Sequence, residues 1–257
     1  KDIFKGAFFK QYKNTFYSQK MRYPKKGGYE SFLRILKKNN NIIYNSKLKK
    51  IDLIKKKIFL NNKIINYTNL VSTIPLTEFV NLTKFKDKKL INFKNQLRCT
   101  AGIIISIGLK VPLKLRTWFY IYNKDFKASR IYCPGKLAKD NCPKNKSSLQ
   151  AEIFIDNKKK ITPNLLQKFK KNTINKLVEN KIIKEHDIDF VDTRYKKYAN
   201  IIFDKNYKKS RDYIMNYYKR FDIDFIGRFG SWAYLWSDQC FMSGKVTAQK
   251  IYKKKLS

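Results

Sequence analysis

A chain of 257 residues that is 43% apolar and 15% aromatic can build the core of one large domain or two modest ones, which sets aside a disordered polypeptide. Its longest uncharged apolar stretch, Ala101 to Leu109, is far too short to cross a bilayer as a helix, and no cleavable leader pattern opens the chain, so a soluble cytoplasmic protein is expected. The formal charge of +39 would ordinarily point to nucleic acid, but lysine outnumbers arginine 49 to 9, alanine occurs 8 times, and lysine, asparagine and isoleucine make up 102 residues. That is the usage of AT-rich codons, spread along the whole chain, and no specific nucleic-acid partner is expected. Peripheral contact with an anionic membrane stays open on charge alone, and oligomeric state is not readable.

Four cysteines match no common zinc spacing, the only histidine is His186, and the cysteines read as reduced thiols; no metal is expected. His186 sits in a polar stretch, and with no second histidine a nucleophile triad has no support.

In chain order, Tyr23-Pro24 and Gly27-Gly28 form a turn leading into a short amphipathic helix whose buried face would be Phe32, Leu33 and Leu36. Brief extended runs follow at Ile42 to Tyr44, Leu48 to Ile54, Lys57 to Leu60 and Lys63 to Tyr67, with Asn61-Asn62 as a hairpin turn. Leu70 to Pro75 is apolar, β-branched and stopped by proline, as expected of a strand in a buried parallel sheet that ends at a functional loop. Strands are predicted at Gly102 to Gly108, Thr117 to Tyr122, Ala128 to Tyr132 and Leu149 to Ile155. By alternation Trp118, Tyr120 and Tyr122 share one face of this sheet. Thr162-Pro163 is a cap and first-turn pair for a helix through about Asn180, followed by an extended return from Arg194 to Phe203 and a helix from Ser210 to Tyr218.

The last stretch reads as a strand from Phe221 to Ile226, a turn containing Gly227 and Gly230, and a helix starting at Asp238 with Lys253 to Lys255 at its carboxyl end. A turn and helix of this kind can hold something anionic.

Three separated blocks then resemble the flavin-dependent amine oxidase-like superfamily, most closely its protoporphyrinogen oxidase-like and UDP-galactopyranose mutase-like members. They are Tyr23-Pro24 with Gly27-Gly28 and the following helix, Leu70 to Pro75 after a meander, and Gly227-Arg228 through Asp238 to Ser243-Gly244 and Ala248. The resemblance implies an α/β fold with an α+β insertion: a partial Rossmann-like FAD-binding domain interleaved with a mixed-sheet substrate domain. Residues 1–80 and 216–257 would belong to the first, and 81–215 to the second.

It further implies FAD as cofactor and a small-molecule substrate. Gly227, Arg228, Asp238 and Gln239 would lie at the flavin or its pyrophosphate, and Gly27 and Gly28 would sit beside the isoalloxazine. Trp118, Tyr120 and Tyr234 are the candidates to line a substrate cavity. Catalytic residues stay unassigned, because redox chemistry would belong to the cofactor. The chain contains no Gly-x-Gly-x-x-Gly, the turn that cradles the dinucleotide in this family, and begins at Lys1, so a fragment that holds FAD weakly or not at all is expected.

A flavin-dependent oxidoreductase is the leading expectation. The rival is a mutase acting without net redox change, which Gly227-Arg228, Tyr234 and Asp238-Gln239 resemble, although no uridine-binding segment is evident and Phe229 to Trp236 looks more like the oxidase branch. A noncatalytic basic module for RNA or membrane rests on charge alone.

Overall fold

The computed structural model of the chain describes residues 22–38, 40–61, 63–85 and 87–256. A 3-10 turn at Tyr29–Leu33 runs into the five-residue helix α1, Arg34–Lys38. The side expected to be buried is not: Phe32, Leu33 and Leu36 are exposed, as are Tyr29 and Ile35. An amphipathic pattern is buried only where a second element meets it, and none meets α1 there among the described residues.

Strands β1 (Lys50–Asp52), β2 (Lys57–Phe59) and β3 (Ile64–Asn66) make the expected antiparallel meander. Asp52 Oδ1 accepts from the Lys55 amide at 2.9 Å and shapes the first turn. Of the Asn61-Asn62 turn only Asn61 lies within the described residues. Ile42 to Tyr44 forms no strand and is exposed.

Strand β4 (Leu70–Ser72) ends short of the expected stop at Pro75, and that proline opens helix α2 (Leu76–Thr83). Proline stops a strand and also suits the start of a helix, where its missing N–H costs nothing. Helix α3 (Lys88–Gln96) follows, capped by Asp87, whose Oδ1 accepts from the Leu90 amide at 2.9 Å.

The middle of the chain is a six-stranded antiparallel sheet. Its long members are β5 (Arg98–Leu109), β8 (Ser147–Asp156) and β9 (Ile188–Lys196). The short ones are β6 (Trp118–Tyr120), β7 (Arg130–Tyr132) and β10 (Ile201–Ile202). Strand order is β10, β5, β8, β7, β6, with β9 also pairing β5. A one-turn helix α4 (Pro134–Leu137) sits in the loop before β8. Helix α5 (Pro163–Glu179) is capped as predicted, Thr162 Oγ1 accepting from the Leu165 amide at 3.2 Å. The return strand begins at Ile188, earlier than the expected Arg194. Helix α6 (Tyr207–Lys219), strand β11 (Ile223–Phe225), the single-turn helix α7 (Gly227–Gly230) and helix α8 (Ser237–Leu256) complete the chain. No helix among the described residues is long and apolar enough to cross a membrane.

Two hydrophobic cores result. The first joins Ile51, Leu76, Phe79, Leu90, Ile214, Tyr218 and Trp232, residues drawn from both sides of the central sheet in sequence. Phe79 meets Tyr218 and Phe225 edge to face, with ring centroids 5.1 and 4.8 Å apart. The second core is built by the stretch between: Ile103, Ile105 and Ile107 of β5, Leu149 and Ile153 of β8, and Leu177 of α5. The chain thus leaves the first core near Cys99, builds the second, and re-enters the first near Tyr198. Burial pushes the Cys99 thiol up to about 11, so this cysteine is an inert part of the packing.

Glu78 ties α2 to the return segment. Its Oε1 accepts from Tyr198 Oη at 2.5 Å and from Lys197 Nζ at 2.6 Å. Partial burial opposes ionisation of this carboxyl, but the bonds from Lys197 and Tyr198 outweigh it and hold the group below its ordinary value of 4.5. A depressed carboxyl contributes stability that is present above its unfolded value and is lost as pH falls through the folded one. Glu78→Gln is therefore expected to unfold at lower urea concentration than the parent at neutral pH, with the gap closing below about pH 4. A gap of constant size across that range would show that the ionised carboxylate contributes nothing.

Candidate functional site

The site begins with a parallel strand pair. Ile223, Asp224 and Phe225 of β11 align with Leu70, Val71 and Ser72 of β4, and the Ile226 amide donates to Ser72 O at 3.0 Å. Parallel strands end on the same side, so Thr73 to Pro75 and Gly227 to Gly230 emerge together. The space beyond the carboxyl ends of parallel strands is where open α/β sheets bind ligands.

Two glycines make this junction possible for different reasons. Gly227 has φ +71, a left-handed conformation, with open space around it. Gly230 is a matter of contact: a Cβ there would lie 2.6 Å from Ser72 O and 3.1 Å from Thr73 Cα. The expected glycine turn is thus a single turn of helix pressed onto the end of β4. The Gly227 amide is already engaged, donating to Ser243 Oγ of α8 at 3.1 Å, so Gly227 offers room and not a donor.

The segment after α7 is held by side chains that grip its main chain. Arg211 Nε donates to Ser231 O at 2.7 Å, Tyr207 Oη to Trp232 O at 2.7 Å, and Arg228 Nε to Leu235 O at 2.9 Å. The Arg228 guanidinium also lies 4.7 Å from the centroid of the exposed Tyr234 ring. Its two terminal nitrogens make no hydrogen bond among the described residues and keep their donor capacity. Tyr207 and Arg211 were not foreseen, since no local pattern ties them to carbonyls more than a dozen residues away.

The start of α8 differs slightly from expectation. The helix begins at Ser237, and Gln239 Oε1 caps it by accepting from the Trp236 amide at 2.8 Å. Asp238 lies in the first turn, exposed, and its carboxylate has no hydrogen bond or ion pair among the described residues. Gln239 is therefore a capping residue, and Asp238 is the acceptor left open to solvent.

The other candidates lie elsewhere. Gly27 and Gly28 both have positive φ, and the Gly27 amide donates to Asp140 Oδ2 at 3.0 Å. This contact brings the glycine pair to the loop before β8. Trp118 and Tyr120 stand on the sheet face opposite α5, in rows that register carries across the strands: Trp118, Tyr132, Gln150, Ser106, and Tyr120, Arg130, Glu152, Ile104. Arg130 donates to both oxygens of Glu152, at 3.1 and 2.8 Å, and Gln150 Nε2 to Ser106 Oγ at 3.1 Å. Both aromatics are exposed, and the face is polar and aromatic while its reverse is the second core. Tyr122 falls outside β6 and is almost fully exposed, so it does not extend the row. No ring contact among the described residues joins Tyr234 to Trp118 or Tyr120, and Tyr234 instead nears Phe203. His186 is exposed beside Asp187, and no group of metal-ligating side chains occurs among the described residues.

The chain matches no family model, and no curated protein matches it in sequence. Solved structures do match its fold. A reduced UDP-galactopyranose mutase superposes with TM-score 0.73 at 19% identity, covering 82% of this chain and 48% of its own. A protein assigned as a protoporphyrinogen oxidase from an Exiguobacterium species gives 0.67 at 13%, covering 88% and 51%. A redesigned putrescine oxidase gives 0.57 at 10%, covering 87% and 52%. The chain therefore shares the mixed α/β fold of these structures over most of its own length and spans about half of theirs.

The close approach of α7 to β4 is directly testable. Gly230→Ala is expected to lower stability by about 1–3 kcal/mol through overpacking against backbone that cannot move aside. Gly244→Ala, whose Cβ would meet only Ile226 Cδ1 at 3.7 Å, is expected to be neutral or stabilising. Urea unfolding of both variants checks this, and equal effects would contradict the packing described.

Proposed function

We propose that this chain carries one wall of the FAD site of a flavin-dependent oxidoreductase, of the amine oxidase or protoporphyrinogen oxidase-like kind. The observation that carries the reading is the paired ends of β4 and β11, directly followed by the open Gly227 and by Arg228, whose terminal guanidinium nitrogens make no hydrogen bond among the described residues, with the exposed Asp238 in the first turn of the next long helix. A cationic fork suits phosphate oxygens and an exposed carboxylate suits sugar or ribityl hydroxyls, so these residues fit one side of such a cofactor. FAD would supply the hydride or electron transfer. Arg228 and Asp238 would bind and orient it, while the clamps from Tyr207 and Arg211 keep the intervening segment in place.

In this reading residues 1–80 and 216–257 form the cofactor domain and 81–215 the substrate domain, interleaved along the chain. The dinucleotide-cradling strand, turn and helix would come from polypeptide outside this sequence. Gly27 and Gly28 would border the isoalloxazine, and the open sheet face with Trp118 and Tyr120 would receive an organic substrate, Tyr234 standing at the cofactor end. A flavin-dependent isomerase of the UDP-galactopyranose mutase kind is the second reading, favoured by the likeness to that enzyme over most of the chain.

The visible spectrum of the protein, expressed as its gene encodes it in full, tests the reading. The expected product is yellow and releases FAD on denaturation, and Arg228→Ala weakens FAD binding by about tenfold or more, as loss of a charge-assisted contact does. A folded, colourless protein that takes up no added FAD overturns the proposal. Turnover with consumption of an electron acceptor distinguishes oxidoreductase from isomerase.

A further inference from the structure

Strand β9 hydrogen-bonds β5 along one edge and pairs with no strand along the other among the described residues. Nine residues is long for a bare edge, because such edges invite pairing unless their side chains oppose it. The side chains of β9 instead favour one partner. Register with Gly108, Ser106, Ile104 and Gly102 puts Phe190, Asp192, Arg194 and Lys196 on the open face. Register with Ile107, Ile105 and Ile103 puts Val191, Thr193 and Tyr195 on the α5 face.

A second copy of β9 laid antiparallel must keep these faces, which leaves few centred alignments. Centring on Asp192 sets two carboxylates against each other. Centring on Val191 sets Asp192 against Phe190 and Arg194 against Ile188. Centring on Thr193 pairs Asp192 with Arg194 and Phe190 with Lys196, each twice by symmetry, and on the other face pairs Val191 with Tyr195. Asp192 and Arg194 are already drawn together within the strand at 2.7 Å, so the charges would form a four-membered array.

An independent feature marks the same centre. Thr193 Oγ1 is buried without a hydrogen-bond partner, and beside it opens a cleft of about 260 Å³ lined by Leu166, Gln167, Lys170 and Val191. The cleft is lined by α5 and β9, at the position that a two-fold axis at Thr193 would bring against the second copy.

We propose that the chain forms a two-fold dimer by antiparallel pairing of β9 with β9 of a second copy, centred on Thr193. Sedimentation velocity over a concentration series tests it. The parent is expected to show a reversible monomer–dimer equilibrium. Asp192→Arg, which puts like charges opposite each other twice, is expected to raise the dissociation constant roughly tenfold or more. Adding Arg194→Asp to that variant restores complementarity in this register and is expected to restore the dimer. Both variants should keep the circular dichroism of the parent, since the two side chains lie on the open face. A parent that stays monomeric throughout, a dimer indifferent to the single reversal, or a folded double variant that does not re-associate would each overturn the proposal.

Discussion

The parallel pairing of β4 with β11 is the constraint on which the rest of the structure depends. It joins Leu70–Ser72 to Ile223–Phe225 across well over half of the sequence, so the long intervening chain must leave and return at fixed points. The central antiparallel sheet is what fills that excursion. Because the pair is parallel, both strands end on one side, and everything with functional promise at this end follows: the single turn of α7, the gripped segment after it, and the start of α8. Gly230 sets the distance. With a side chain at that position α7 could not sit on Ser72 O, and Arg228 would be displaced with it.

Division of the apolar residues into two cores gives the molecule a supporting half and a presenting half. The first core buries aromatic rings from α2, α6 and β11 against one another and anchors the parallel strands. The second is an isoleucine-rich layer between the sheet and α5, and its reverse face is left polar and aromatic. Side chains alternate along a strand, so burying Ile103, Ile105 and Ile107 obliges Ile104 and Ser106 to face outward. The row from Trp118 to Ser106 is therefore a consequence of how the core is packed, whatever it binds.

Elements whose cause is local were legible in the sequence. Thr162-Pro163 caps α5 because cap and first-turn chemistry need no distant partner, and the apolar run in β5 reads as a strand because its composition allows little else. Where the cause is distant, the reading failed or fell short. Phe32, Leu33 and Leu36 have helical spacing, yet nothing among the described residues covers them. Pro75 reads as the stop of β4, which ends at Ser72, and it serves instead to open α2. Of the candidate residues, Gly227 and Arg228 directly follow β11, Asp238 lies in the first turn of α8, Gln239 is occupied with capping, and the Gly27 amide donates to Asp140. Tyr207 and Arg211 were invisible because their partners are backbone carbonyls, and a carbonyl has no sequence.

The central claim is that the ends of β4 and β11 form one cofactor wall. Amide hydrogen exchange measured by mass spectrometry on the gene's full product, with FAD bound and after its removal, addresses it most directly. The account predicts that FAD slows exchange together in peptides spanning residues 70–76 and 226–240, while the α5 region at 163–179 is unchanged. Protection confined to other parts of the chain, or exchange at both segments indifferent to FAD, would contradict it.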